Sequence, residues 1–208
     1  YGRQNLTRTQ QSETLGESFC VLFGIADEER AAKVISSMPV GEFGPPIFSP
    51  QLVSQPDYHN NGVWPYVTSF WGKAAAKVGN ETALMHALAC NVRTASIYAT
   101  NYENYSFNTG NPYTTQINSP NMLWGLSGFM GLFHRTFFGL EFTKEGLALK
   151  PFVPTVLAGT RKLEAFPYRG MKLDITVSGS VNEIASCLVD GKEAEAFIPA
   201  DWTGNHSI

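Results

Sequence analysis

A polar, aromatic loop at residues 102–112 carries the best candidate for a catalytic carboxylate in this sequence. Glu103 stands among Tyr102, Asn104 and Tyr105, and the segment closes with a glycine and a proline. Loops held between helices often carry catalytic residues, and tyrosine and asparagine can stack on or hydrogen-bond to a polyol. These residue types make Glu103 a candidate catalytic carboxylate among groups that suit a polyol, whereas a solvated loop glutamate is the competing interpretation.

A second polar and aromatic cluster occupies residues 58–66, where a helix is expected to begin. His59, Asn60, Trp64 and Tyr66 combine hydrogen-bond donors, acceptors and a stacking surface, which are the groups that bind one pyranose ring. Trp64 also continues the buried stripe of the following helix, so a ligand-facing and a core position are both open. His59 is interpreted as a hydrogen-bonding group, because no second His or Cys stands at ligand spacing. We therefore expect no metal and no cofactor.

The composition favours a neutral, polar ligand. The 208 residues are 43% hydrophobic and 12% aromatic, with a net charge of -3, so there is no basic field to attract nucleic acid. The longest apolar run, residues 122–133, is too short to span a bilayer, and no membrane partner is expected. Cys20, Cys90 and Cys187 lack metal or redox spacing and are interpreted as buried fillers.

Helical periodicity dominates the first two thirds of the chain. It predicts helices over residues 11–25, 28–38, 63–78, 80–98 and 121–138. Asp27 and Asn80 are expected N-caps, Ser119-Pro120 is expected to cap the last helix, and Pro65 fits a first turn. The last helix is apolar all round, so we expect it to be buried on most sides. The proline-rich segment 39–56 is expected to be a long loop.

The remaining third reads as strands. Apolar and alternating segments at residues 147–152, 161–168, 171–177, 184–189 and 194–198 are separated by turn residues, and Asp190-Gly191 is a hairpin turn signal. Helices followed by strands predict two domains, residues 1–140 and 141–208. The chain opens at Tyr1 without a methionine and closes in a turn before another expected strand, so we expect it to be a piece of a longer protein.

Several short motifs occur in a familiar order. They are His59-Asn60-Asn61-Gly62-Val63-Trp64-Pro65-Tyr66, Tyr102-Glu103-Asn104-Tyr105 with Thr109-Gly110, the apolar helix, Leu147-Ala148-Leu149-Lys150-Pro151, and Tyr168-Arg169-Gly170. This order resembles the C-terminal part of six-hairpin, (α/α)6-barrel glycoside hydrolases. The nearest likeness is to the inverting family of processing α-glucosidase I and its bacterial α-glucosidase relatives, and it covers nearly all of the chain.

The resemblance implies a fold and a set of site residues. The implied fold is mainly α, a partial (α/α)6 toroid followed by a C-terminal antiparallel β-sandwich. Glu103 would be the general base. The residues expected to bind substrate are His59, Asn60, Asn61, Trp64, Tyr66, Asn104, Tyr105 and Trp124.

Two departures limit what the resemblance implies. Val63 follows Gly62 directly, where the family has another residue between them, and no motif of the family's general acid, an aspartate, is found. Inverting glycosidases need two carboxyl groups, so the resemblance implies a carbohydrate-active fragment that supplies the base and has little activity alone. Its partner would be the missing N-terminal part of the barrel, or a second copy through self-association.

The implied reaction is exo-acting hydrolysis of α-linked, glucosyl-containing saccharides. α-L-Rhamnosidase or phosphorylase chemistry on the same scaffold, and a non-catalytic carbohydrate-binding role, are the alternatives, because a fold does not specify a substrate. Glycosidases of this type are frequently extracytoplasmic, so the resemblance implies the periplasm or the cell exterior.

Overall fold

The computed structural model describes residues 10–180 and 183–208. The chain divides into two compact units, with the division between Met130 and Gly131, whereas the sequence predicts a domain boundary between residues 140 and 141. The expected truncation at Tyr1 concerns a segment that lies outside the described residues.

The first unit contains the helices and several very short strands. The helices are α1 (Thr14–Leu22), α2 (Glu28–Ser37), α3 (Pro65–Lys77), α4 (Glu81–Tyr98) and α5 (Leu123–Leu132), the last of which ends just beyond the division. The strands are β1 (Ser12–Glu13), β2 (Phe48–Ser49), β3 (Gly62–Val63) and β4 (Tyr105–Ser106), paired as β1 with β2 and β3 with β4. Within the described ranges, none of the helices combines the length and apolarity needed to cross a membrane.

Three predicted helix starts are confirmed. The Asp27 carboxylate accepts a hydrogen bond from Arg30 N at 2.9 Å, and the Asn80 side chain accepts one from Ala83 N at 2.9 Å. Pro65 occupies the first turn of α3. Asp27 and Asn80 satisfy N–H groups that a helix leaves unpaired at its start, whereas Pro65 has no N–H group that would need a partner there.

The predicted cap at Ser119-Pro120 is wrong. Asn121 has φ 58°, a left-handed conformation that cannot belong to a helix, and Met122 N donates to Asn101 O at 2.8 Å. The chain is therefore held against the end of α4 before α5 begins at Leu123. The expected helix over residues 121–138 is also divided, because a π-helical turn (Phe133–Phe137) follows Leu132.

Helices α3 and α4 pack through small side chains. Ala74 and Ala75 on α3 and Ala87 on α4 are fully buried, as is Leu84. Asn91 Nδ2 on α4 donates to Ser69 Oγ on α3 at 3.2 Å, so these two buried polar groups are hydrogen-bonded to each other. This pair provides the rigid support from which the candidate site projects.

The second unit is built from short sheets. Its strands are β5 (Leu140–Phe142), β6 (Gly146–Leu149), β7 (Gly159–Tyr168), β8 (Met171–Gly179), β9 (Leu188–Val189), β10 (Lys192–Glu193), β11 (Phe197–Pro199) and β12 (Gly204–Ser207), with a 3-10 turn at Thr155–Leu157. One sheet has the order β11-β6-β5, another has β12-β8-β7, and β9 pairs with β10. Strand β12 runs parallel to β8, whereas the other pairs in this unit are antiparallel.

The expected alternation and the expected turn are both present in this unit. Met171, Leu173 and Ile175 of β8 are buried, and the residues between them are exposed. Asp190 and Gly191 join β9 to β10 with φ values of 50° and 76°, the positive pair that a tight hairpin requires. The unit's core combines β8 with residues such as Leu140, Leu147 and Ile198.

The expected fold class is wrong. The described residues are 35% helical and 24% strand, with five helices and several small sheets, and they do not form a mainly α partial toroid followed by a β-sandwich. Hydrophobic periodicity identifies helices one at a time, but their closure into a ring depends on contacts between residues distant in sequence. The parallel pairing of β12 with β8 also departs from the expected antiparallel sandwich.

The three cysteines are free. Cys90 is buried, as expected, and burial raises the pKa of its thiol to about 12. The expectation of burial is wrong for Cys20 and Cys187, which are half-buried.

Candidate functional site

The segment that carries Glu103 runs from the end of α4 to the start of α5, residues 99–122, and is called the Glu103 loop. Ala99 closes the helix in a left-handed conformation with φ 52°, and the chain then turns through Tyr102 and Glu103 into β4. Glu103 N donates to Ser119 O at 2.9 Å. This hydrogen bond fixes the backbone of the half-buried Glu103 against the other end of the same loop.

Pairing of β3 with β4 brings the two predicted clusters together. Gly62 lies opposite Ser106, and Val63 lies opposite Tyr105, although the strands are about 40 residues apart in the chain. A Cβ at position 62 would lie 1.7 Å from the Tyr58 carbonyl oxygen, so only glycine fits there. The Asn61-Gly62 motif thus lets the segment around His59 lie against the Glu103 loop.

Asp57 braces the two segments and was not identified from the sequence. Its Oδ2 accepts a hydrogen bond from Ser106 Oγ at 2.8 Å, and its Oδ1 accepts one from Asn61 Nδ2 at 2.9 Å. The Asp57 carbonyl oxygen also accepts from Gln116 N at 2.7 Å. The position of Asp57 just before the Tyr58–Tyr66 motif was an available signal, but its partner Ser106 could be recognised only in the fold.

Asn118 braces the Glu103 loop from within and was also missed. Its Nδ2 donates to Asn104 O at 2.7 Å and to Pro112 O at 2.8 Å. Its Oδ1 accepts from Asn104 N at 3.3 Å and from Ser119 N at 3.0 Å. Asparagine commonly bonds to nearby backbone, so an asparagine before Ser119-Pro120 was a signal for a fixed loop.

The Glu103 carboxylate lies near a phenol and an amide. Burial raises the pKa of Tyr58, and the negative charge of Glu103 raises it further, so the phenol remains protonated at neutral pH. Asn104 Nδ2 lies 3.5 Å from Glu103 Oε2 and 3.0 Å from Ile117 O. Asn104 is fully buried, and its Oδ1 has no hydrogen-bond partner among the described residues.

A continuous series of aromatic rings includes Tyr58, the phenol on which the charge of Glu103 acts. Tyr58 stacks on His59 with ring centroids 4.7 Å apart at 21°, and His59 lies 5.1 Å from Trp64. Trp64 contacts Trp124 edge-on at 5.4 Å, and Trp124 lies 4.6 Å from Tyr66. Tyr58, His59, Trp64, Tyr66 and Trp124 are hereafter called the aromatic wall.

Members of the aromatic wall differ in how much surface they present. His59 is exposed, and Tyr58, Tyr66 and Trp124 are half-buried. Trp64 is buried, and its Nε1 donates to Tyr58 O at 3.1 Å, so its indole N–H is already used inside the protein. The Nε1 of Trp124 has no hydrogen-bond partner in the described structure.

Two other predicted site residues, Asn60 and Tyr105, make hydrogen bonds to the protein's own backbone. Asn60 Oδ1 accepts from Leu52 N at 2.7 Å, and its Nδ2 donates to the carbonyl oxygens of Leu52 and Gln55 at 3.2 and 3.0 Å. Tyr105 is fully buried, and its hydroxyl accepts from Tyr102 N at 3.1 Å. Burial raises the pKa of Tyr105, and the Tyr102 N–H and the Thr94 hydroxyl oppose that shift.

The nominated residues therefore form one neighbourhood with two layers. His59, Tyr66, Glu103 and Trp124 retain accessible surface, and Asn61 is also half-buried with its Nδ2 bonded to Asp57. Asn60, Trp64, Asn104 and Tyr105 lie beneath them, buried. The arrangement holds a carboxylate in the same neighbourhood as a set of inclined aromatic rings and several hydroxyl or amide groups.

Metal ligation is not indicated by the described residues. Within residues 10–180 and 183–208, no three His, Cys, Asp or Glu side chains are grouped closely enough to hold a metal ion. A cavity of about 630 Å³ lies in the second unit, lined largely by apolar side chains that include Phe138, Ile175 and Ile208, and it contains none of the nominated residues.

The chain matches no protein-family model and no curated protein sequence. The candidate chemistry of the chain therefore rests on Glu103, the aromatic wall and the residues that brace them.

Proposed function

We propose that Glu103 is the general base of an inverting, exo-acting glycosidase that hydrolyses α-linked, glucosyl-containing saccharides. The observation that carries this proposal is the position of a half-buried glutamate on a braced loop, next to Asn104 and close enough to Tyr58, one ring of the aromatic wall, for its charge to act on that phenol. Sugars present both hydroxyl groups and apolar faces, and the groups gathered here can contact both. The expected alternatives remain α-L-rhamnosidase and phosphorylase chemistry.

The chemistry required of Glu103 is removal of a proton from water. In an inverting glycosidase the base carboxylate activates a water molecule on one face of the sugar ring, while a carboxylic acid protonates the leaving oxygen on the other. The two carboxyl groups stand about 6.5–9.5 Å apart so that the water fits. The amide of Asn104, whose Nδ2 lies 3.5 Å from Glu103 Oε2, can hold the carboxylate in orientation for that step.

The proposal assigns only the base. Asp57 is the carboxylate of the bracing network. Both of its oxygens accept hydrogen bonds, from Asn61 and Ser106. It is therefore occupied in holding the two segments together. We place the general acid on another polypeptide segment, either a further part of a longer protein or a second copy of this chain.

Because both carboxylate oxygens of Asp57 are engaged in bracing the site, a second candidate function is also favoured. A site that offers an aromatic wall and one accessible carboxylate, with no free second carboxyl group in the bracing network of the described residues, can bind a saccharide without cleaving it. Non-catalytic carbohydrate binding is therefore the alternative from a different class. It predicts saccharide affinity in the absence of turnover.

Replacing Glu103 by glutamine in the full-length protein tests the assignment. Glutamine keeps the shape but cannot accept the proton from water, so we expect hydrolysis of maltose and of an aryl α-glucoside to fall by a factor of about 10² to 10⁴. Binding of maltose, measured by calorimetry, should change little. Glu28→Gln, an exposed residue at the start of α2, is the matched control and should behave as wild type.

Each outcome of that experiment has a distinct meaning. Wild-type turnover by the Glu103→Gln variant would end the base assignment. Maltose binding without turnover in the wild-type protein would support the non-catalytic alternative. A parallel screen with aryl α-rhamnosides, and with added phosphate, separates rhamnosidase and phosphorylase chemistry from glucoside hydrolysis.

A further inference from the structure

A group of tyrosines outside the aromatic wall is held at the surface of the Glu103 loop. Tyr98, Tyr102 and Tyr113 contact one another edge-on, with ring centroids between 5.6 and 6.1 Å apart. Tyr102 Oη donates to Tyr113 Oη at 3.1 Å. Tyr113 is nevertheless 72% exposed, so most of its ring surface is in contact with water.

The exposure of Tyr113 is not explained by packing. Tyr98 fixes the loop to α4, because its hydroxyl donates to Gly110 O at 2.9 Å, and Tyr105 fills the interior beneath. Tyr113 buries little area, and burial is the main way in which an aromatic ring contributes to stability. Its backbone is also fixed, since Tyr113 N donates to Asn111 Oδ1 at 2.8 Å.

The same loop bracing relates Tyr113 to Glu103. Asn118 Nδ2 donates both to the carbonyl oxygen after Glu103, at 2.7 Å, and to the carbonyl oxygen before Tyr113, at 2.8 Å. These two oxygens can be no farther apart than the sum of those distances. The carboxylate and the exposed ring thus project from adjacent points of one braced loop.

We infer that Tyr113, supported by Tyr102, is an aromatic platform for a second sugar unit of the saccharide whose reacting unit lies at Glu103. This inference rests on the proposed function, and it specifies the substrate class as an oligosaccharide of two or more neutral sugar units. An aromatic ring held in place before the ligand arrives loses little conformational freedom on binding. The paired hydroxyl groups of Tyr102 and Tyr113 can bond to the equatorial hydroxyl groups of the same unit.

Measuring affinity against saccharide length tests the platform. Glucose, maltose and maltotriose are titrated by calorimetry into the full-length wild-type protein and into the Tyr113→Ala and Tyr113→Phe variants. Wild type should bind the longer saccharides more tightly than glucose. Tyr113→Ala should remove about tenfold of that gain while leaving glucose affinity unchanged, and Tyr113→Phe should keep most of it because the ring remains.

Phe23→Ala is the matched control. Phe23 is an aromatic residue that is 71% exposed, and it lies at the end of α1, far from Tyr113 in the sequence. It should show the wild-type dependence on length. An unchanged dependence in Tyr113→Ala, or absence of any saccharide binding to wild type, would overturn the platform. Failure of the base assignment is recognised separately, because the Glu103→Gln variant would then hydrolyse maltose while Tyr113→Ala still lost its preference for longer saccharides.

Discussion

Replacing Asn118 by alanine should loosen the loop that positions Glu103. The Asn118 side chain makes hydrogen bonds with the backbone of Asn104 (both N and O), with Pro112 O and with Ser119 N. A typical intramolecular hydrogen bond contributes about 0.5–1.5 kcal/mol net. Because Asn118 is half-buried, water can replace part of each bond, so we take about 0.5 kcal/mol for each and about 2 kcal/mol for the set.

Hydrogen exchange is the direct assay of this effect. A loss of about 2 kcal/mol in local opening free energy corresponds to about 30-fold faster exchange, and we expect it at the amides of Asn104 and Ser119. The melting temperature should fall by at most about 8 °C, since 1 kcal/mol shifts it by about 2–4 °C in a chain of this size. Under the proposed function, saccharide turnover should fall while the Glu103 side chain itself is unchanged.

Asn108→Ala provides the matched control, because Asn108 is an exposed asparagine of the same loop. Its exchange rates and melting temperature should equal those of wild type. If Asn104 and Ser119 exchange at wild-type rates in Asn118→Ala, the loop is held by other contacts and the reasoning is refuted.

Two further predictions concern other parts of the molecule. The hydrogen bond to Asp190 raises the pKa of His206, and the hydrogen bond from His206 lowers the pKa of Asp190. The pair should stabilise the protein between the two titrations: its contribution is lost as pH rises through the raised His206 pKa, and also as pH falls through the lowered Asp190 pKa. The melting temperature of His206→Gln should therefore lie below that of wild type at pH 5 and approach it as the pH rises through the raised His206 pKa. On α5, Leu123, Leu126 and Met130 are 78%, 38% and 46% exposed, and such a stripe favours association. The isolated 208-residue chain should self-associate in light scattering and hydrolyse little, Leu126→Glu should reduce the association, and a wild-type chain that stays monomeric and cleaves maltose rapidly would contradict both expectations.

Local signals were sufficient where a structure depends on neighbours in the chain. Asp27 and Asn80 cap their helices as the sequence predicts, because a cap bonds to an N–H only three residues away. Asp190-Gly191 forms its turn for the same reason. The alternation in β8 likewise needs only one buried face to specify which residues point inward.

Contacts between distant residues were beyond the reach of such signals. The periodicity of the helices does not state how they assemble, so the expected toroid was wrong. The start of α5 was misplaced because Asn101, at the end of α4, pairs with Met122. A cap signal read at Ser119-Pro120 carries no information about that pairing.

The candidate site shows the same division between sequence and tertiary structure. The sequence by itself determined that Glu103 stands in a polar, aromatic loop and that His59, Trp64 and Tyr66 open a helix. Only the tertiary structure decided that β3 pairs with β4, that Asp57 bonds to Ser106 and that Asn118 closes the loop. The physical reason is that each of these bonds depends on where the backbone of another segment lies, which is specified by the packing of the whole unit rather than by the residue's own neighbours.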